Sequence, residues 1–181
     1  MNMKYLYIIL LISLFSCNKD KYIKRYSIPK LEKSNDSISF PENKINKSFN
    51  WVVPDNWIEG KKSSMRLASY SIPYNDEVAD VSITNFSGDG GGLLQNVNRW
   101  RKQLGLDPIT DKKLDQIIEI KKSKLGNYSY IKIVNKENED SAFLCSIIQI
   151  ENSTIFIKLN STVQGIELLE NEFINFCSSF N

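Results

Sequence analysis

The residues with the most unusual spacing in this chain are Ser87-Gly88-Asp89-Gly90-Gly91-Gly92, followed by Asn96, Arg99 and Gln103. Backbone N–H groups at a helix start, approached over side-chain-free glycines, bind phosphate or carboxylate. Asn96, Arg99 and Gln103 recur at helical intervals and would add donors along one polar stripe. Two features count against an anion: no P-loop Lys-Ser/Thr follows the glycines, and no G-x-G-x-x-G sits in a βαβ unit. Asp89 would also repel an anion unless it acts as a cap. The sequence therefore favours the plainer reading, a tight strand-to-helix turn that needs positive φ. Trp51, Trp57 and Trp100, with Arg66, Arg99 and Arg101, make a second candidate, an aromatic–cationic surface for a glycan or protein. Tryptophans at strand starts and on an apolar helix face are more often core, and core is the expectation here.

Other chemistry is narrowed by what the chain lacks. It contains no histidine. That removes the commonest general base, together with Ser-His-Asp and Cys-His arrangements. It also removes His-containing zinc and non-haem iron sites and leaves carboxylate sites for hard cations. The carboxylates Asp107, Asp111 and Asp115, and the group Glu137, Glu139 and Asp140, lack the glycine and ligand spacing of an EF-hand loop and read as solvated charge. Ser27-Ile28-Pro29-Lys30 fits the S-x-x-K of serine acyl-enzymes, yet it falls in a stretch with no means of positioning the lysine. Cys145 and Cys177 could pair in an oxidising compartment or stay as buried thiols, and the unpaired state is expected. No metal or cofactor is expected. With 23 basic and 21 acidic residues and a net charge of +2, no strong field favours nucleic acid as a partner.

The N-terminus carries a different signal. Lys4 precedes an apolar run, Tyr5 to Phe15, broken only by Ser13. Eleven residues are too few to span a membrane, which takes roughly 20, so the segment reads as an export signal. Its end, Leu14-Phe15-Ser16-Cys17, resembles the lipobox of bacterial lipoproteins, although Phe15 is bulkier than the usual occupant of its place. The resemblance implies cleavage after Ser16 and acylation of Cys17, an anchor worth about 0.8 kcal/mol per buried CH₂. Asn18 is not the Asp that signals inner-membrane retention in some bacteria, which tilts the expected location toward the outer membrane. Residues 17–48 then comprise the lipidated cysteine and a polar tether with Pro29 and Pro41. As a flexible coil, 18–48 would reach about 30 Å.

From Phe49 to Asn181 the composition becomes that of a folded domain, 133 residues dense in aromatic and branched side chains, enough for one core. Strands are predicted at Phe49–Val53, Met65–Ile72 and Glu77–Thr84, the last with Ala79, Val81 and Ile83 alternating against polar residues. A helix over Leu93–Leu104 gathers Leu93, Leu94, Val97, Trp100 and Leu104 on one face and stops at Gly105. A short helical turn follows within Asp107–Asp115. Strands near Ile117–Lys122, Tyr128–Val134, Ala142–Ile150 and Thr154–Asn160 form a meander, with turns at Gly126-Asn127, the Asn135–Asp140 charged stretch and Glu151-Asn152. A helix from Thr162 to Phe180 closes the chain. The fold class is α+β, a mostly antiparallel sheet of about six to seven strands with a central and a C-terminal helix.

The opening Phe49-Asn50-Trp51-Val52-Val53-Pro54-x-x-Trp57, this order of elements, and a terminal helix with Phe173 and Phe176 resemble the Mog1/PsbP-like fold. The run from Ser64-Met65-Arg66-Leu67-Ala68 through Gly90-Gly91-Gly92 to Asn96-Val97-Asn98-Arg99-Trp100-Arg101-x-Gln103-Leu104-Gly105-Leu106 is similar to a family of uncharacterised bacterial lipoproteins. The resemblance implies a non-enzymatic accessory or protein-binding module of the cell envelope, with a protein partner in addition to the membrane. The alternative is a small anionic ligand or glycan binder using the Gly88–Gly92 turn and Arg99. Gly90, Gly91, Gly92, Asn96, Arg99, Trp100 and Gln103 are the candidate binding residues under either reading.

Overall fold

The computed structural model describes residues 49–61 and 63–181. The export segment, Cys17, the tether and Ser27–Lys30 lie outside the described residues. The described part builds β1 (Ile58–Glu59), β2 (Ala68–Tyr74), β3 (Glu77–Ser87), α1 (Leu93–Gln103), α2 (Asp111–Ile117), β4 (Glu119–Ser123), β5 (Gly126–Asn135), β6 (Asn138–Ile150), β7 (Ser153–Ser161) and α3 (Val163–Ser178). All seven strands join one antiparallel sheet in the order β1-β2-β3-β7-β6-β5-β4. The α+β class, the antiparallel sheet and both expected helices are therefore present.

Alternation assigns each strand residue to one of two faces. Ala79, Val81 and Ile83 of β3, Tyr128 and Tyr130 of β5, and Leu144 and Ile148 of β6 meet Ile166, Leu169, Phe173 and Phe176 of α3 in one core. Ile131 and Ile133, Phe143 and Ile147, and Phe156 meet Val97, Trp100 and Leu104 of α1 and Leu114 of α2 in the other. Cys145 lies in the second core and Cys177 in the first, both buried and free. The sheet between them keeps the thiols apart, and burial pushes both well above the ordinary thiol range.

Several expected boundaries differ, each for a tertiary reason. Phe49–Val53 is not a strand. Asn50 instead exchanges backbone hydrogen bonds with Asn181 at 2.7 and 2.9 Å. Phe49 and Trp51 stack on Phe180, with the Trp51 ring centroid 5.2 Å away. These contacts with the last residues of the chain take the place of a strand ladder. The edge position goes to the two-residue β1, paired Ile58↔Ser71, which no periodicity signals. The second helical turn begins at Asp111, beyond Pro108, with Thr110 as its N-cap residue. Asn138, Glu139 and Asp140 extend β6, so the charged turn shrinks toward Lys136-Glu137, beside a bulge at Val134/Asn135.

Helix α3 is fastened by polar groups at its start and at mid-length. At its start, Thr162 Oγ1 accepts from the Gly165 N–H at 3.0 Å, a standard cap. Tyr74 Oη, from β2, accepts from Ser161 Oγ at 2.7 Å, lies 3.0 Å from Thr162 Oγ1 and donates to Glu77. Gly165 lets this hub approach, because a Cβ there would stand 2.1 Å from Ser161 Oγ and 2.6 Å from Tyr74 Oη. Further along, Glu170 accepts from Tyr130 Oη at 2.6 Å and from Lys132 Nζ at 2.7 Å. Burial works to raise the Glu170 pKa, but those bonds and the nearby lysines outweigh it and hold the carboxyl below its usual range.

Two outcomes follow for stability. Alanine at a helical position ordinarily gains about 0.8–1 kcal/mol over glycine, but Gly165→Ala will destabilise by about 1–3 kcal/mol because overpacking wins. Urea denaturation reads the sign directly. Glu170, depressed in the folded state, contributes stability above its unfolded pKa of about 4.3 that is lost as pH falls through the lower folded value. Between pH 6 and pH 3 the wild type should lose about 1 kcal/mol more than Glu170→Gln. Equal acid sensitivity of the two would refute the assignment.

Candidate functional site

The glycine turn connects the end of β3 to α1 and is fastened from several sides. The Gly88 N–H donates to Asn152 O at 2.9 Å, and Thr154 Oγ1 donates to Gly88 O at 2.7 Å, so the β6–β7 hairpin grips its entrance. Asp89 Oδ1 accepts from the Gly91 N–H at 2.9 Å. Asn96 Nδ2 donates to Gly90 O and Gly92 O at 3.0 and 2.7 Å. Gly90 has φ +64° and sits on the Phe156 ring, where a Cβ would come within 2.5 Å of two ring carbons. Gly92, at φ +82°, is the N-cap residue and brings no side-chain cap. The turn is thus the tight strand-to-helix connection that the sequence favoured, with close approach to Phe156 as its second requirement.

The polar stripe of α1 is used internally. Asn96 is only 3% exposed. It binds the turn and accepts from Arg99 Nη1 at 2.8 Å. Gln103 Oε1 accepts from Lys158 Nζ at 3.0 Å, and Trp100 packs edge-on against Phe156 in the core. Asn96 is therefore engaged by the turn and by Arg99, and Gln103 by Lys158. A buried amide must satisfy its own hydrogen bonds, and the turn's carbonyls claim it. Asp89, rather than a cation, occupies the turn.

The tryptophans do not cluster on a surface either. Trp57 packs against Tyr70 and Phe176 on the α3 side, and its indole N–H donates to Glu172. The indole N–H of Trp51 donates to Tyr70 Oη at 2.9 Å. Trp100 is on the opposite face of the sheet. Arg66 pairs with Asp80 at 3.2 Å, and Arg101 Nε donates to Asp107 O at 2.8 Å. The two charged clusters, around Asp107–Asp115 and Glu137–Asp140, are exposed, and no group of three or more acidic or cysteine side chains able to hold a metal occurs among the described residues.

A cleft of about 330 Å³ opens beside the start of α1. One wall is Asp89, Gly92 and Leu93; the floor runs across Ile120 of β4, Asn127 and Ser129 of β5, and Ile147 and Gln149 of β6. Of the predicted binding residues only Gly92 lines it. Arg99 faces a separate, more open depression on the outer side of α1, with Lys102, Leu106 and Pro108. The sheet residues of the cleft were not singled out from sequence. The available signal was alternation, since Asn127 and Ser129 continue the face of Ile131 and Ile133 beyond the point where α1 and α2 cover it.

Alanine tests the turn. Both Gly90 and Gly91 have positive φ, but only Gly90 has a ring beneath it, while nothing lies within 4 Å of a Cβ at Gly91. Gly90→Ala should cost about 1–3 kcal/mol more than Gly91→Ala in urea denaturation. Equal costs would remove the Phe156 contact from the account.

No protein-family model matches the sequence, and no curated protein matches it. Solved structures do. The solution structure of a cyanobacterial PsbP (CyanoP) from Synechocystis sp. PCC 6803 is similar at a TM-score of 0.50 and 13% identity, over 76% of this chain and 88% of that one. A protein of Bacteroides thetaiotaomicron matches at 0.44 and 14% identity, over 74% of this chain and 44% of that one. LpqN of Mycobacterium tuberculosis, a protein involved in cell envelope biogenesis, matches at 0.38 and 11% identity, over 74% and 82%. At these identities the likeness to the cyanobacterial protein concerns the fold alone, and the described domain has the Mog1/PsbP-like fold.

Proposed function

We propose that this chain is an extracytoplasmic lipoprotein, anchored to a bacterial membrane through Cys17, whose folded domain is a non-enzymatic accessory or binding module of the cell envelope. The observation that carries the reading is Leu14-Phe15-Ser16-Cys17 closing an eleven-residue apolar segment behind Lys4. A thioether-linked diacylglycerol with a further acyl chain holds a protein stably at a bilayer, where one chain alone binds only marginally. Asn18 after the cysteine tilts the location toward the outer membrane. Among the described residues no helix is long and apolar enough to cross a membrane; attachment in this reading is the work of Cys17.

The binding role draws support from the inventory of the cleft. Its polar groups are a carboxylate, two amides and a hydroxyl, which can hold a ligand by hydrogen bonds. The strongly shifted groups, Tyr130 and the two thiols, are raised by burial inside the two cores and line neither this cleft nor the depression beside Arg99. A protein partner in the envelope is the expected occupant of the domain's surface.

Metabolic labelling with an alkyne fatty acid, combined with membrane fractionation, tests the anchor. The wild type should carry label and sediment with membranes, and Cys17→Ser should carry none and move to the soluble fraction. An unlabelled wild type with its leader intact would refute it. Crosslinking in intact cells tests the partner: a specific envelope protein should be recovered, and recovery of none would count against the module reading.

A further inference from the structure

We propose that the cleft at the start of α1 is a binding site for a neutral, hydroxyl-rich ligand of the glycan class. The site rests on the reading of the domain as a binding module, and it is independent of the anchor. Its volume of about 330 Å³ lies at the small end of the range, about 300–1,000 Å³, of clefts that hold small molecules.

The polar side chains of this face fall into two groups. Those that pack beneath and around α1 are already bonded: Asn96 to the glycine turn, Asn98 to both the N–H and the C=O of Ile109, Gln103 to Lys158 and Asn135 to Leu104 O. Those that line the cleft are not. Asn127, Ser129 and Gln149 have no side-chain partner among the described residues, and Asp89 uses only Oδ1. A ligand would therefore meet a carboxylate oxygen that accepts, two primary amides that each donate and accept, and a hydroxyl that does both. Between these groups lie Leu93, Ile147 and Ile120, and Ile120 is 63% exposed although it stands on the cleft floor. Alternating hydrogen-bond sites and aliphatic surface suit a pyranose, whose hydroxyls ring a C–H face.

Charge selects among ligand classes. Asp89 is the one formal charge in the lining, and the nearest cation by register is Lys122, opposite Asn127 on the edge strand and exposed outside the lining. An anion would face Asp89 directly, and a cation would find one carboxylate already accepting from a backbone N–H, so neither recovers its hydration as well as a neutral ligand does. An extended peptide adding to the β4 edge is opposed by Glu119, Lys121 and Lys122, which crowd that edge with charge.

The test uses the full-length protein purified in a detergent without a sugar headgroup. Binding is measured by calorimetry against uncharged oligomers of glucose, galactose, mannose and N-acetylglucosamine, with inorganic phosphate and spermidine as separate arms. At least one neutral oligomer should bind. Asn127→Ala and Gln149→Ala should each weaken it by about tenfold, the worth of a ligand hydrogen bond, with urea denaturation confirming that both variants fold. Lys102→Ala, outside the cleft, should leave the affinity unchanged. Binding of no neutral oligomer overturns the proposal, as does binding that ignores Asn127 and Gln149, or binding of phosphate or spermidine alone. Since acylation of Cys17 is read separately, loss of the anchor and loss of this site are distinguishable results.

Discussion

The pairing of β3 with β7 is the constraint on which the rest of the domain depends. These strands run antiparallel from Asp80↔Asn160 to Ser87↔Ser153, joining residues up to 80 positions apart in the chain. Between them the chain leaves the sheet through α1 and α2, re-enters at the far edge as β4, and returns by successive hairpins. Loop closure over that length is entropically costly. It is offset by two continuous cores that form only when β7 stands beside β3. Without that seam, β2 and β3 would be a hairpin with an apolar face, and β4 to β7 a meander with two.

The seam also decides the geometry at the start of α1. Because Ser87 ends opposite Ser153, the glycine turn emerges against the β6–β7 hairpin, where Asn152 O and Thr154 Oγ1 take hold of Gly88. Gly90 then lies on Phe156, and α1 starts above the sheet. The helix covers Cys145, Phe156 and Ile133 and leaves Asn127, Ser129 and Gln149 open. The cleft is what remains of this face where α1 begins. Its polar lining follows from the same alternation that gives the covered part its isoleucines.

The opposite face shows how polar groups can specify a helix position. The α3 core is apolar along its length, which would let the helix slide or rotate at modest cost. The Tyr74 hub at Gly165 and the Tyr130–Glu170–Lys132 group act as two fixed points, each satisfied by several partners. Such groups select one arrangement among several of similar apolar burial. The termini add a third point, where Asn50 and Asn181 pair and Phe49, Trp51 and Phe180 stack.

Periodicity alone identified the long strands, both main helices and the α+β class, because a half-buried element writes its period into the sequence whatever it packs against. The stripe Ile166, Leu169, Phe173, Phe176, Cys177 and Phe180 is buried in full, and the glycine turn was legible as a turn. Composition likewise removed histidine chemistry, and the resemblance of Leu14-Phe15-Ser16-Cys17 to a lipobox rests on a linear motif. Tertiary structure alone decided which strands are neighbours, that Phe49–Val53 docks by its rings and not by a ladder, and that Asn96 and Gln103 are partners of the turn and the sheet. It alone brought Asp89 over Asn127, Ser129 and Gln149. The physical reason is common to all of these: a side chain's hydrogen-bond partners and exposure depend on groups far along the chain. Local patterns record only which way a residue faces within its own element.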